Sequence, residues 1–162
     1  QAEIGAFKHE LVEHFTCFDP GDVDEFSLHT RALQALADGN PTINVDTSEG
    51  NLTMKAADVA ACAGDIMGQI YARDFKMIDQ SDMIVSYIPE LPGGMPGLSS
   101  GVERELHHAF EHTKEVFVVW KPKKSPSPFI TETATRIFAS TQEALAYFEQ
   151  NGYFGEKNLF GN

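Results

Sequence analysis

The chain has 162 residues, 42% hydrophobic and 22% charged, the composition of one globular domain long enough to bury a core. Acids outnumber bases 24 to 12, for a net charge of −12, and the only basic cluster is "KPKK" (Lys121 to Lys124), which excludes a nucleic-acid binder working through a basic stripe. No run approaches the roughly 18 apolar residues of a membrane span, so no membrane partner is expected.

No segment reads as a signal peptide, and a cytoplasmic location is expected. Cys17 and Cys62 lie far apart and read as reduced, buried thiols. Residues 2–15, "AEIGAFKHELVEHF", space Ile4, Phe7, Leu11 and Phe15 at helical intervals and predict a first helix. "TCFDP" (Thr16 to Pro20) reads as a short apolar strand ending in a turn. "FSLHTRALQALADGN" predicts a second helix, stopped by Gly39 and Asn40. Residues 40–51 are polar and form a loop or a small hairpin. From Leu52 to about Gln80 the series Met54, Val59, Ile66, Ile70 and Phe75 predicts one long helix, bent near Gly64 or Gly68.

"DMIVSYI" (Asp82 to Ile88) shows little polar alternation, as a strand buried on both faces should. "PELPGGMPGLSS" is a loop dense in Pro and Gly, followed by a helix over Val102 to Lys114. "EVFVVWKP" is a second buried strand and "TRIFAS" a short third one. "TQEALAYFEQNGYF" is a terminal helix capped by Ser140 or Thr141. Alternating strands and helices imply an α/β sandwich with a mostly parallel sheet. In such sheets ligands sit beyond the carboxyl ends of the strands, here the loops after Ile88 and Trp120.

The stretch "GLSSGVERELHHAFEH" (Gly97 to His112) combines a Ser/Gly turn with a helix opening on Glu103 and Glu105. Acids in a first helical turn complement the helix dipole, and an N-cap serine ahead of a glutamate matches a capping box. The same free N–H groups make an anion site, and a glutamate beside it can serve as a catalytic carboxylate. His108 to His112 also spells H-x-x-E-H, an inverted zinc-peptidase motif with two ligands on one helix face. In that alternative Glu111 is the base, and Glu105, Glu132 or Glu143 is the third ligand.

Three segments together carry a resemblance: "ARDFKMIDQSDMIVSYI", "SSGVERELHHAF" and "EVFVVWKPKKSPSPFI". They resemble the nucleoside 2-deoxyribosyltransferase family, and more narrowly its branch that hydrolyses nucleoside 5′-monophosphates. Arg73-Asp74 matches the pair that opens the helix before an "ADvvva" strand, which here is Ser81 to Val85. Ser99, Gly101, Glu105, Leu106 and Ala109 fall on the signature that follows. The likeness covers residues 70–150, and residues 1–25 in outline.

The resemblance implies a three-layer, Rossmann-like (flavodoxin-like) fold in a single domain over residues 1–162, with an insertion at about 25–70. It implies cleavage or transfer of the N-glycosidic bond of a nucleoside or deoxynucleoside 5′-monophosphate. Glu105 matches the catalytic glutamate, and Asp74 the aspartate that supports the sugar and the departing base. Ser99, with Ser100 and Gly101, stands where the hydrolases hold the phosphate and where the transferases carry an aspartate. Ser127 in "SPSPF" matches a serine that reaches the phosphate in a neighbouring subunit; otherwise "SPSP" is a stiff linker. No metal or organic cofactor is implied, and a homodimer or higher homo-oligomer is. Tyr87 and the "LPGGMPGL" loop are expected to wall the base. Asp19, in the turn "DPGD", is a further pocket residue if that turn follows a strand of the sheet.

The chain departs from the family in three places. The family's first strand and its glycine loop are absent from this sequence. His107 replaces the glycine after Glu-Leu, where close packing is usual. The region between Asp24 and Ala72 is longer than the family's connection. A non-catalytic nucleotide-sensing module of a larger protein is the alternative from a different class.

Overall fold

A computed structural model describes residues 2–20, 25–47, 50–62 and 66–155. The elements run α1 (Ala2–His14), α2 (Glu25–Ala37), β1 (Thr42–Thr47), β2 (Gly50–Lys55), α3 (Ala56–Cys62), α4 (Ile66–Gln80), β3 (Met83–Ile88), β4 (Glu90–Leu91) and β5 (Met95–Pro96). They continue with α5 (Ser100–Glu111), β6 (Glu115–Trp120), α6 (Pro128–Thr131), β7 (Arg136–Phe138) and α7 (Thr141–Gln150). The chain gathers into two compact units, one formed by Gln1–Phe18 with Phe75–Asn162 and the other by Asp19–Asp74.

The first unit is mixed α/β, built on a parallel three-stranded sheet in the order β3-β6-β7. Its centre is β6, "EVFVVW", in which every residue from Val116 to Trp120 is buried. Successive strand side chains point to opposite faces. Val116, Val118 and Trp120 therefore pack with Ile78, Ile88, Leu106, Ala109 and Ile130, on the side of α4, α5 and α6. Phe117 and Val119 pack with Phe7, Phe138, Ala144 and Phe148, on the side of α1 and α7. Helices thus cover both faces of the sheet. The second face is aromatic: Phe117 meets Phe148 edge-on at 5.0 Å between ring centres.

The second unit is smaller. Antiparallel β1 and β2 pair from Thr42 opposite Lys55 to Thr47 opposite Gly50. Ala32 of α2, Ile43 of β1, and Ala56 and Val59 of α3 form its buried core. The Ala56 N–H donates to the Pro41 carbonyl at 2.9 Å, fixing α3 to the base of the hairpin.

Several expectations need correction. Thr16 to Asp19 form no strand, and Phe18 is half-exposed; among the described residues no strand pairs with that short run. The long helix over 52–80 is instead a strand and two helices, β2, α3 and α4. Leu52 and Met54 sit on β2, with Gly50 at φ +119 on the turn side, and the polar stretch before them is the hairpin's first strand. The helix expected over 102–114 starts two residues earlier and ends at Glu111. The short α6 and the two-residue β4–β5 pair were not anticipated. Cys17 and Cys62 are exposed rather than buried.

Three helices, α2, α5 and α7, end in the same pair of backbone bonds, with one exception in the residue at the left-handed position. α2 closes with Asn40 N–H to Ala35 carbonyl and Gly39 N–H to Leu36 carbonyl, Gly39 lying at φ +75. α7 repeats it with Tyr153 to Phe148, Gly152 to Glu149, and Gly152 at φ +74. α5 makes the same two bonds, Lys114 to Ala109 and Thr113 to Phe110, but the left-handed position is Thr113 at φ +57. A β-branched residue is strained there, and glycine is not. Thr113→Gly is expected to stabilise the protein by about 1 kcal/mol, raising the melting temperature by roughly 2–4 °C, as read by differential scanning calorimetry.

Candidate functional site

The loops that follow β3 and β6 both open at the carboxyl edge of the sheet. The first, residues 89–99, is braced by the β4–β5 pair and by a close approach at Gly97. The Gly97 N–H donates to the Pro89 carbonyl at 2.8 Å, and a Cβ on Gly97 would come within 2.7 Å of the Pro89 ring. The second loop is tied down by the Trp120 indole N–H on the Lys124 carbonyl (2.8 Å) and by the Lys123 N–H on the Glu90 carboxylate (2.8 Å).

Ser99 is the N-cap of α5, and its Oγ accepts from the Val102 N–H at 3.2 Å. The Ser99 carbonyl accepts from Glu103 N–H at 3.1 Å. The cap uses an acceptor lone pair, so the hydroxyl proton stays available as a donor. The N–H groups of Ser100 and Gly101, both on exposed residues, have no acceptor among the described residues. Together these donors face outward at the positive end of a 12-residue helix.

With Ser99 as the cap, only Glu103 falls in the first turn; Glu105 lies in the second and is half-buried. The capping box from Ser100 to Glu103 is therefore not the one the helix uses. Glu105 sits four residues after Gly101, on the same helix face, and helical side chains lean toward the N-terminus. A Cβ on Gly101 would meet nothing closer than Ser99 Oγ at 3.5 Å, an ordinary contact. Among the described residues nothing demands glycine there. His107, where close packing was expected, is instead exposed and pairs with Glu111 at 3.4 Å.

Ser127 precedes α6 as its N-cap but makes no side-chain cap bond. Its Oγ is the only buried side-chain polar atom without a hydrogen-bond partner among the described residues. Such an orphan costs about 1–3 kcal/mol, so it marks a place where a partner is missing or a ligand belongs. Tyr87, near the end of β3, donates its hydroxyl to Glu3 at 3.0 Å. Burial, and then the Glu3 carboxylate, raise its pKa. Glu3 also pairs with Lys121 at 3.0 Å, which together with Tyr87 holds its own pKa below the ordinary value. This triad places the N-terminus of α1 at the carboxyl edge.

Tyr87, Ser99, Ser100, Gly101 and Ser127 thus lie along one edge of the first unit, with Glu105 on the helix that starts there. Asp74 and Asp19 belong to the second unit. Asp74 is engaged by its neighbour Arg73, at 2.9 and 3.0 Å, both side chains being mostly buried. Arg73 also donates to the Pro20 carbonyl at 3.4 Å. Asp19 is half-buried but follows no strand, so the reason for placing it at the sheet edge falls away; Gly21 and Asp22 of the same turn lie outside the described residues.

Among the described residues, one group of side chains has metal-ligand spacing: Asp79, His108 and His112. The two histidines are those of the H-x-x-E-H motif, but the third member is Asp79 rather than Glu105, Glu132 or Glu143. Sequence reasoning did not single out Asp79, because its 2.7 Å contact with His108 spans 29 residues. No helix is long and apolar enough to cross a membrane among the described residues. No protein-family model, curated protein or solved structure matches this chain.

The depressed pKa of Glu3 fixes the sign of a pH effect. A carboxylate whose folded pKa is lowered contributes stability that is present above its unfolded pKa of about 4.3 and is lost as pH falls through the folded value. Glu3→Gln is expected to be less stable than the wild type near pH 7. The two proteins should converge as pH drops below about 4.3, in urea denaturation curves taken at several pH values.

Proposed function

We propose that the protein cleaves, or transfers, the N-glycosidic bond of a nucleoside or deoxynucleoside 5′-monophosphate, with Glu105 as the carboxylate that acts at the anomeric carbon. The observation that carries this reading is the composition of one helix. The N-terminus of α5 offers the Ser99 hydroxyl and the N–H groups of Ser100 and Gly101 to an anion, and the half-buried Glu105 follows one turn later on the face of Gly101. A phosphate and a sugar are the two ends of a nucleoside monophosphate, and this helix has a donor set for one and a carboxylate for the other.

The chemistry needs this combination. Glycosidic cleavage passes through an oxocarbenium-like state, which a carboxylate against the sugar stabilises or captures. A serine at position 99 donates to a phosphate, where an aspartate would repel it. Asp74 is assigned to the sugar and leaving base on the sequence match of Arg73-Asp74 alone. Tyr87 and the loop after β3 would wall the base. Ser127 is assigned to the phosphate site of a neighbouring copy in a homodimer on the sequence match, and the 83% exposed Phe129 two residues on supports a contact with such a copy. The frame of the reading is a three-layer Rossmann-like domain with residues 25–70 inserted, supported by the helices on both faces of β3-β6-β7.

Incubation with a panel of ribo- and deoxyribonucleoside 5′-monophosphates, followed by chromatography, should reveal released base. Glu105→Gln is expected to lower the rate by about 10²–10⁴-fold. Gly101→Leu should abolish release while leaving the melting temperature unchanged or higher, because the added side chain obstructs substrate and not the fold. Nucleotide binding without base release from any substrate would favour the sensing module instead.

A further inference from the structure

We infer that Asp79, His108 and His112 bind a divalent transition-metal ion, zinc being the best match, at the end of α5 away from the proposed nucleotide site. Asp79 lies in the last turn of α4, and the two histidines stand four residues apart on α5. Their candidate ligand atoms all fall within 4.8 Å of one another, so one ion can reach all three. His108 Nε2 and Asp79 Oδ1 are 2.7 Å apart, and the His108 and His112 rings are 4.0 Å apart.

The surroundings orient the ligands. His112 Nδ1 lies 2.8 Å from the His108 carbonyl and donates to it, which leaves the lone pair on Nε2, the atom free to ligate. Lys114 is engaged on the main-chain carbonyl of Asp79 at 3.1 Å, not on its carboxylate. Phe75 packs edge-on against the His108 ring at 4.6 Å and limits its rotation. Both Asp79 (40% exposed) and His108 (21%) are open to solvent, so an ion can enter and water can fill the remaining position.

The donor set selects the metal. Two imidazole nitrogens and one carboxylate suit zinc, and also cobalt or nickel; calcium and magnesium prefer all-oxygen shells. The ion replaces the His108–Asp79 hydrogen bond and ties the last turn of α4 to the C-terminal half of α5. It is not arranged as a peptidase centre, because Glu111 is paired with His107. His108 and His112 follow Ser99 by about two and a half to three and a half turns, so the ion lies roughly 15 Å along the helix from Ser99, a separate site from the anion donors.

Equilibrium dialysis of the untagged full chain against zinc chloride, with the visible spectrum of a cobalt-loaded sample, tests the assignment. The wild type should bind about one zinc per chain and give the intense absorption of low-symmetry, near-tetrahedral cobalt. His112→Ala and Asp79→Asn should each weaken zinc binding at least about tenfold, while His9→Ala, an exposed histidine elsewhere, changes nothing. Zinc should also raise the melting temperature of the wild type but not of His112→Ala, whose side chain is exposed and whose loss leaves the fold intact. No binding at micromolar zinc, or binding that survives both ligand substitutions, would overturn the inference.

Discussion

The first unit depends on one strand that has no solvent-facing side. β6 is paired along both edges and buried on both faces, so each of its residues from Val116 on must be apolar. That constraint fixes the rest. A parallel partner on each side requires crossover helices, and the alternation of Val116, Val118 and Trp120 against Phe117 and Val119 demands a helical layer over each face. Once the strands are parallel, the loops leaving Ile88 and Trp120 emerge at one edge. Ser99 and Ser127 reach that edge because they end those loops, whatever chemistry they perform.

α5 connects this scaffold to both proposed sites. Its buried stripe, Leu106 and Ala109 with Val102 partly covered, packs against the sheet. The same periodicity leaves Gly101, Glu105, His108 and His112 off the buried stripe. The helix is therefore anchored by one face and chemically furnished on others, with anion donors at its start and imidazoles at its end. The strained Thr113 closes it, immediately after His112. A helix held rigidly by packing is a better platform for reacting groups than a loop, since its side-chain spacing is set by backbone hydrogen bonds.

Local signals made much of this legible in the sequence. β3 and β6 announce themselves as uninterrupted apolar runs, α7 by the Ser140 cap, and α2 by the Gly39 stop. Where one pattern fits two periods, the sequence is ambiguous: Leu52 and Met54 alternate as a strand does, yet extend into a helical series with Val59. Only the pairing with β1 decides. Cys17 and Phe18 are apolar without periodicity, and no strand among the described residues pairs with them. At the start of α5 two adjacent serines compete for the cap, and backbone geometry selects Ser99, which moves Glu105 out of the first turn. Contacts such as Asp79 with His108 and Glu3 with Lys121 join distant segments, and no local pattern encodes them.

The overall charge raises a question of how an anionic ligand is held at all. A chain of net charge −12 repels a phosphate at long range. Attraction must then be local, and the carboxyl edge has what that requires. The N-terminus of α5 supplies partial positive charge, with Glu103 in its first turn, and the only basic cluster, Lys121 to Lys124, leaves β6 at the same edge. Lys121 is already neutralised by Glu3, whereas Lys123 and Lys124 are exposed. Within a Debye length of about 8 Å at physiological ionic strength, those dipoles and ammonium groups act on a bound anion, while acids farther away are largely screened. Global repulsion acts on encounter and local donors on the bound state, so an acidic protein can hold a small anion while repelling a polyanion, whose many phosphates extend beyond the donors.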